Sequence, residues 1–100
     1  MEEQMVKHIV MFTFKEENKQ EHLRQAKMML EALLISVPTL KKMEVGINFS
    51  AEERAMDLSL YSEFDNIEGL ALYANHPEHL EVVHFIKSVA SASKVVDYTL

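Results

Sequence analysis

The residues of this chain best suited to chemistry are crowded into Leu72-Tyr73-Ala74-Asn75-His76-Pro77-Glu78-His79. An imidazole whose pKa lies near neutrality can take a proton from a carbon or a hydroxyl. A phenol held in place can donate a hydrogen bond to an oxygen that becomes negative as that proton leaves. Together they suit base-assisted chemistry next to a carbonyl, such as an aldol-type cyclisation or an isomerisation. His79 would take the proton and Tyr73 would hold the oxyanion, with no redox cofactor and no metal required. Each residue also has a plainer reading. His79 lies on the apolar stripe it shares with Val82, Val83 and Ile86, and its ring can be buried with both nitrogens satisfied. Tyr73 can fill core with its ring while its hydroxyl reaches water.

His76 immediately precedes Pro77 and so stands at the N-cap of a helix, where its job is to cap and shape the turn. His76-x-x-His79 also has a metal-ligand spacing, with His8 as a third candidate ligand. A zinc site needs three or four converging ligands, usually backed by carboxylates, so no metal is assigned on that spacing. His22 and His84 fall outside these groups and are expected in solvent.

Other chemistries are excluded by what is missing. The formal net charge of −6 comes with no basic stripe to neutralise phosphates, so nucleic acid is not an expected partner. Cysteine is absent, which removes disulfides, thiolate nucleophiles and cysteine-based zinc sites. There is no phosphate loop, serine triad or dinucleotide fingerprint. No apolar run reaches membrane length, and the start, Met1-Glu2-Glu3-Gln4, lacks the basic region of a signal peptide. The expectation is a soluble, cytoplasmic protein of one domain over residues 1–100.

The elements that must position the candidates follow from periodicity. Val6 to Phe14 reads as a strand, with Val6, His8, Val10, Phe12 and Phe14 on one face and Lys7, Ile9, Met11 and Thr13 on the other. Lys19 to Val37 reads as a helix whose stripe is Leu23, Ala26, Leu30, Leu33, Leu34 and Val37, widened by Met29, and which Pro38 stops. Leu40 to Asn48 and Met56 to Phe64 read as a hairpin of two strands around a polar loop. Asp65-Asn66-Ile67-Glu68 has the spacing of a capping box with Asp65 as the cap. A short helix follows to Ala74, burying Ile67, Leu70, Ala71 and Ala74. Pro77 opens another helix. Ser88 to Ser93 ends it, and Val95 to Leu100 is the last strand.

That order, β-α-β-β-α-β with the second helix broken at His76-Pro77, is an α+β, ferredoxin-like plan: a four-stranded antiparallel sheet with helices on one face. The first strand is apolar on both faces, so the face bearing Ile9 and Met11 needs a cover that this chain's helices do not supply. The expected cover is a second copy of the chain, packed sheet to sheet in a twofold dimer. Under the helices, Val10, Phe12, Leu23, Leu30, Leu58, Leu60, Val82 and Ile86 are candidate walls of a pocket for a small, largely apolar organic molecule. His8, His76, Tyr73 and His79 supply its polar groups. The competing expectation is a non-catalytic protein in which these rings are only packed.

Lys7-His8-Ile9-Val10-Met11-Phe12, the Glu44-Val45-Gly46 core of the second strand, Tyr73-x-x-His76-Pro77-x-His79 and Val95-Val96-Asp97-Tyr98 together resemble the stress-responsive dimeric α/β-barrel (Dabb) domain. The resemblance spans nearly the whole chain. It implies a ferredoxin-like fold that dimerises into an α/β barrel. Some plant members are stress-accumulated structural proteins, and one branch cyclises a linear polyketide by an aldol reaction. In that branch the pocket tyrosine and histidine match Tyr73 and His79, and the histidine matching His8 lines the same pocket. A polyketide substrate is not implied, because elsewhere the chain shows only the general family pattern.

Overall fold

In the computed structural model, residues 4–100 are described; the acidic start, Met1-Glu2-Glu3, lies outside them. The elements run β1 (Val6–Phe14), α1 (Lys19–Ser36), β2 (Leu40–Ile47), β3 (Leu58–Phe64), α2 (Ile67–Ala74), α3 (Pro77–Val89) and β4 (Ala90–Thr99). The strands form one antiparallel sheet in the order β2-β3-β1-β4. This is the expected ferredoxin-like layout, with β2 and β3 paired as neighbours. Among the described residues no helix is long and apolar enough to cross a membrane.

Register assigns the two faces of the sheet. Val10 opposes Leu60 on one side and Val95 on the other, and Leu60 opposes Val45, so these side chains share the helix-covered face. Ile9 opposes Tyr61 and Val96, and Met11 opposes Ser59 and Lys94, on the face turned away from the helices. The core lies between helices and sheet: Phe12, Phe14, Leu58, Leu60 and Phe64 from the strands meet Leu23, Ala26, Leu30 and Leu33 of α1 and Val82, Ile86 and Val89 of α3. Met11 (39 % exposed), Val96 (50 %) and Tyr98 lie open on the far face. A polar cluster joins them there. Glu63 accepts from the Tyr61 hydroxyl and from Lys7 Nζ, and the cations of Lys7 and Lys42 lie over the Tyr61 ring.

Asn18 turns the chain from β1 into α1 in the left-handed region, at φ 52°, a conformation that asparagine tolerates better than most residues. α1 ends as expected, where Val37 N–H donates to Leu33 O just before Pro38. Leu34, expected in the α1 stripe, is instead 44 % exposed.

Two local expectations are corrected. α2 is capped by Asn66, not Asp65: the Asn66 side chain accepts from Gly69 N at 2.7 Å. The buried face therefore differs from the one expected. Gly69 and Tyr73 are buried, while Ile67 is 72 % exposed and Ala71 and Ala74 are also open. Gly69 faces β3 and the α1–β2 turn. A Cβ there would stand 3.5 Å from Thr39 and 3.7 Å from Phe64, and Thr39 Oγ1 donates to Gly69 O. With the Gly69 face turned inward, the large Tyr73 ring takes the interior, where it removes more apolar area from water than the alanines would. The second correction is β4, which begins at Ala90 directly after α3. It pairs with β1 from Phe14↔Ala90 to Val6↔Thr99, with one irregularity at Thr13/Phe14. The ladder to a central strand overrides the weak strand preference of Ser91, Ala92 and Ser93.

Candidate functional site

A cavity of about 240 Å³ lies between the sheet and the helices. β1 supplies His8, Val10 and Phe12 at alternate positions. α3 supplies His79, Val82, Val83, Ile86 and Lys87 at helical spacing. Leu30 comes from α1, Leu60 from β3, Tyr73 from α2 and Ser93 from β4. Most of the residues expected to line the pocket meet here. Leu23 and Leu58 belong to the packed core instead and do not line it.

His76 also stays out of the cavity. It caps α3, its Nδ1 accepting from Glu78 N at 3.1 Å. Sequence reasoning missed Val83, Lys87, Ser93 and, behind His8, Asp97. His22, expected in solvent, is half-buried with its ring edge-on to Phe85; His84 is exposed. Among the described residues no three His, Asp or Glu side chains converge as a metal site would require.

The corner between α2 and α3 sets up the reactive end. α2 stops at Ala74, and Pro77, which cannot give the N–H that a continuing helix needs, starts α3. This turns His79 back onto the last turn of α2, where its Nδ1 lies 3.1 Å from Ala74 O. A carbonyl only accepts, so the Nδ1 carries the proton and the lone pair of the neutral ring is on Nε2. Burial lowers the pKa of His79, and the nearby His8 and His76 push the same way against the Ala74 bond. The ring is therefore neutral at neutral pH.

Tyr73 is 1 % exposed. Its ring centroid lies 4.2 Å from that of His79, 5.0 Å from Phe64 and 6.2 Å from His8. Burial pushes its phenol well above the usual range, so it keeps its proton and can act only as a donor or a neutral acceptor. Among the described residues the hydroxyl has no hydrogen-bond partner. It is not a sealed orphan either, since it borders the cavity.

His8 packs edge-on against Tyr73 and Phe64, and its Nδ1–H donates to the carboxylate of Asp97, its cross-strand partner on β4. That contact orients the imidazole across the cavity from His79. Buried Ser62 donates to His8 O and holds the strand beneath it. At the inner end are thus one neutral imidazole with a free lone pair, one protonated phenol and one carboxylate-oriented imidazole, set in apolar walls.

A larger hollow, about 610 Å³, lies elsewhere, on the open sheet face. Met11, Gly46, Ser59 and Lys94 form its floor and the 48–57 connection forms its rim. Its one guanidinium, Arg54, is paired with Glu52, and no imidazole or carboxylate lines it. It offers area for contact and no evident chemistry, so the smaller cavity is the candidate site.

The stress responsive A/B barrel domain family matches residues 6–100. A dimeric protein with a ferredoxin-like fold from Bacteroides fragilis is 34 % identical, with 96 % of each chain covered and a TM-score of 0.88. A dimeric ferredoxin-like protein from Thermobifida fusca is 20 % identical, covering 98 % of this chain and 92 % of that one, also at 0.88. A hydroxynitrile lyase from Passiflora edulis is 21 % identical, covering 97 % and 94 %, at 0.86. At these lower identities the likeness speaks for the fold. No curated protein matches the chain. The matched span takes in every strand, every helix and all the residues of the cavity, and this chain belongs to the stress responsive A/B barrel domain family.

Proposed function

We propose that this protein is a homodimer that binds a small, largely apolar organic molecule in the cavity under its helices and promotes base-assisted chemistry next to a carbonyl. The observation that carries the catalytic part is the His79 ring. Its Nδ1–H is engaged by Ala74 O, leaving the Nε2 lone pair for a proton, and it lies tilted against a phenol that retains its own.

In the first step His79 Nε2 takes a proton from the carbon next to a carbonyl. The C–H electron pair becomes an enolate whose oxygen accepts a hydrogen bond from Tyr73. In an aldol-type reaction the enolate carbon then attacks a second carbonyl carbon, and the new alkoxide takes the proton back from the imidazolium. An isomerisation returns that proton to a different carbon. Neither route changes the oxidation level overall. The Passiflora edulis neighbour, named as a lyase, is compatible with a fold of this shape hosting such chemistry. The dimer rests on the open face bearing Ile9, Met11, Val96 and Tyr98, and on the Bacteroides fragilis relative being dimeric.

One observation favours a non-catalytic reading: Tyr73 is almost completely buried, as a merely structural ring would be. Deuterium exchange separates the two. Acetophenone in D2O is incubated with native protein and with His79→Ala, and methyl deuteration is followed by NMR. Native protein should exceed the buffer rate and His79→Ala should not. A native rate equal to buffer, across a panel of aromatic and β-keto compounds, leaves a packing role for these rings.

A further inference from the structure

The candidate cavity has a second end. Four residues of β1 separate His8 from Phe12, about 13 Å of strand, and eight residues of α3 separate His79 from Lys87, about 12 Å of helix. The cavity therefore runs lengthwise between sheet and α3. Its inner end holds the half-buried His79 and the buried Tyr73, and its other end holds Lys87 and Ser93, both exposed. A smaller hollow of about 200 Å³ adjoins that outer end, sharing Phe12, Ile86, Lys87 and Ser93 with the cavity. Lys87 and Ser93 are thus the polar residues that the cavity presents at its exposed end.

Charge gives this end a direction. Lys87 makes no ion pair among the described residues, and no carboxylate lines either hollow. In a chain of net charge −6, the one lysine of the lining is its only charged aliphatic side chain, and the Asp97 carboxylate lies behind His8 at the opposite end. A neutral apolar ligand would leave that ammonium unused, whereas an anion entering from solvent would be drawn to it and held at the rim.

Resting on the reading of this cavity as a ligand site, we propose that its ligands are small organic acids with a carbonyl at one end and a carboxylate at the other, joined by an apolar body about one ring long. The carbonyl lies at Tyr73 and His79, and the carboxylate lies at Lys87 and Ser93. The cavity volume equals that of about eight liquid waters, which suits one ring and its substituents and excludes a long chain. Lys87 is the specificity determinant and takes no part in proton transfer.

The test compares two probes of the same shape, 4-acetylbenzoate and 4-acetylbenzamide, at low salt. Affinity is read from ¹H–¹⁵N shift titrations of native protein, Lys87→Met, Lys87→Glu and, as a control on the opposite sheet face, Lys94→Met. Native protein and Lys94→Met should bind the acid several-fold tighter than the amide, with the gap closing as salt is raised. Lys87→Met should bind the two alike, and Lys87→Glu should prefer the amide. Both probes bound equally by native protein, or a preference for the acid that survives in Lys87→Met, overturns the assignment and leaves the ligand site standing. Failure of both probes to shift the His79 and Ser93 signals overturns the assignment and the ligand site together.

Discussion

The imidazole of His79 lies 4.2 Å, centroid to centroid, from the phenol ring of Tyr73, tilted by 44°. The two residues come from different helices, and each modifies the other. The tyrosine ring removes water from one face of the imidazole. The imidazole in turn helps bury the tyrosine, keeping the phenol protonated.

Tyr73→Phe isolates the hydroxyl. The ring packing is kept, and the hydroxyl removed has no hydrogen-bond partner among the described residues, so stability should change by less than about 1 kcal/mol. If the hydroxyl holds an enolate oxygen, the exchange rate should fall by about a hundredfold. Thermal melting followed by circular dichroism and the deuterium-exchange assay read the two quantities separately. Unchanged exchange in a well-folded variant would remove Tyr73 from the chemistry.

The depressed pKa of His79 sets a pH dependence with a definite sign. The folded state disfavours the charged ring, so the unfolded chain binds the proton more readily, and stability from this group is present above the ordinary value of 6.5. It is lost as pH falls from there through the lower folded value. The rate of a base-assisted reaction should fall over the folded-state end of that range, since protonation occupies the lone pair. A histidine-resolved NMR titration should place the midpoint of His79 below 6.5. A midpoint above that value would contradict the burial argument.

Asp97→Asn tests the partner of His8. The amide keeps the shape of the carboxylate and its Oδ1 still accepts from Nδ1–H, but the charge is lost. Asp97→Asn should therefore keep the orientation of the His8 ring, whereas Asp97→Ala removes the acceptor and should lower the exchange rate, by less than His79→Ala does. An exchange rate in Asp97→Ala equal to that of the native protein would show that the contact does not orient the ring.

Met11→Asp places a charge on the open face of the sheet. If a second copy covers that face, the variant should sediment as a monomer or precipitate, while native protein sediments as a dimer at micromolar concentration. Native protein that stays monomeric by sedimentation velocity would refute the dimer.

Asn66→Ala should cost about 1 kcal/mol, because Gly69 N–H loses the side-chain acceptor that starts α2. Asp65→Ala should cost less, since Asp65 is exposed and does not cap the helix. Chemical denaturation of both variants ranks them, and the reverse order would return the cap to Asp65.

Much of this architecture was legible from side-chain period alone, because β1 and α1 repeat their apolar groups over enough residues to settle both type and face. α2 was not. It has eight residues, and small side chains on several faces let two stripes compete. The Asn66 cap and the hydrogen bond from Thr39 to Gly69 O, neither visible in the period, fix the face that turns inward. Tyr73 and His79 stood out by type and spacing, whereas Asp97 could be found only from the pairing of the first strand with the last, a relation across 89 positions. Lys87 is within reach of sequence, eight residues past His79 and about two turns along the helix, but a lysine late in a helix ordinarily points to solvent, so its type carries no signal for a cavity.

The corner at Asn75 and His76 has a consequence beyond ending one helix and starting another. In an unbroken helix, positions six apart are rotated by about 240° around the axis, so a tyrosine and a histidine at that interval look away from each other. The two-residue interruption folds them back into contact. Lengthening or straightening this joint would pull the pair apart with both side chains untouched, and their partnership is therefore encoded as much in Pro77 as in the residues that form it.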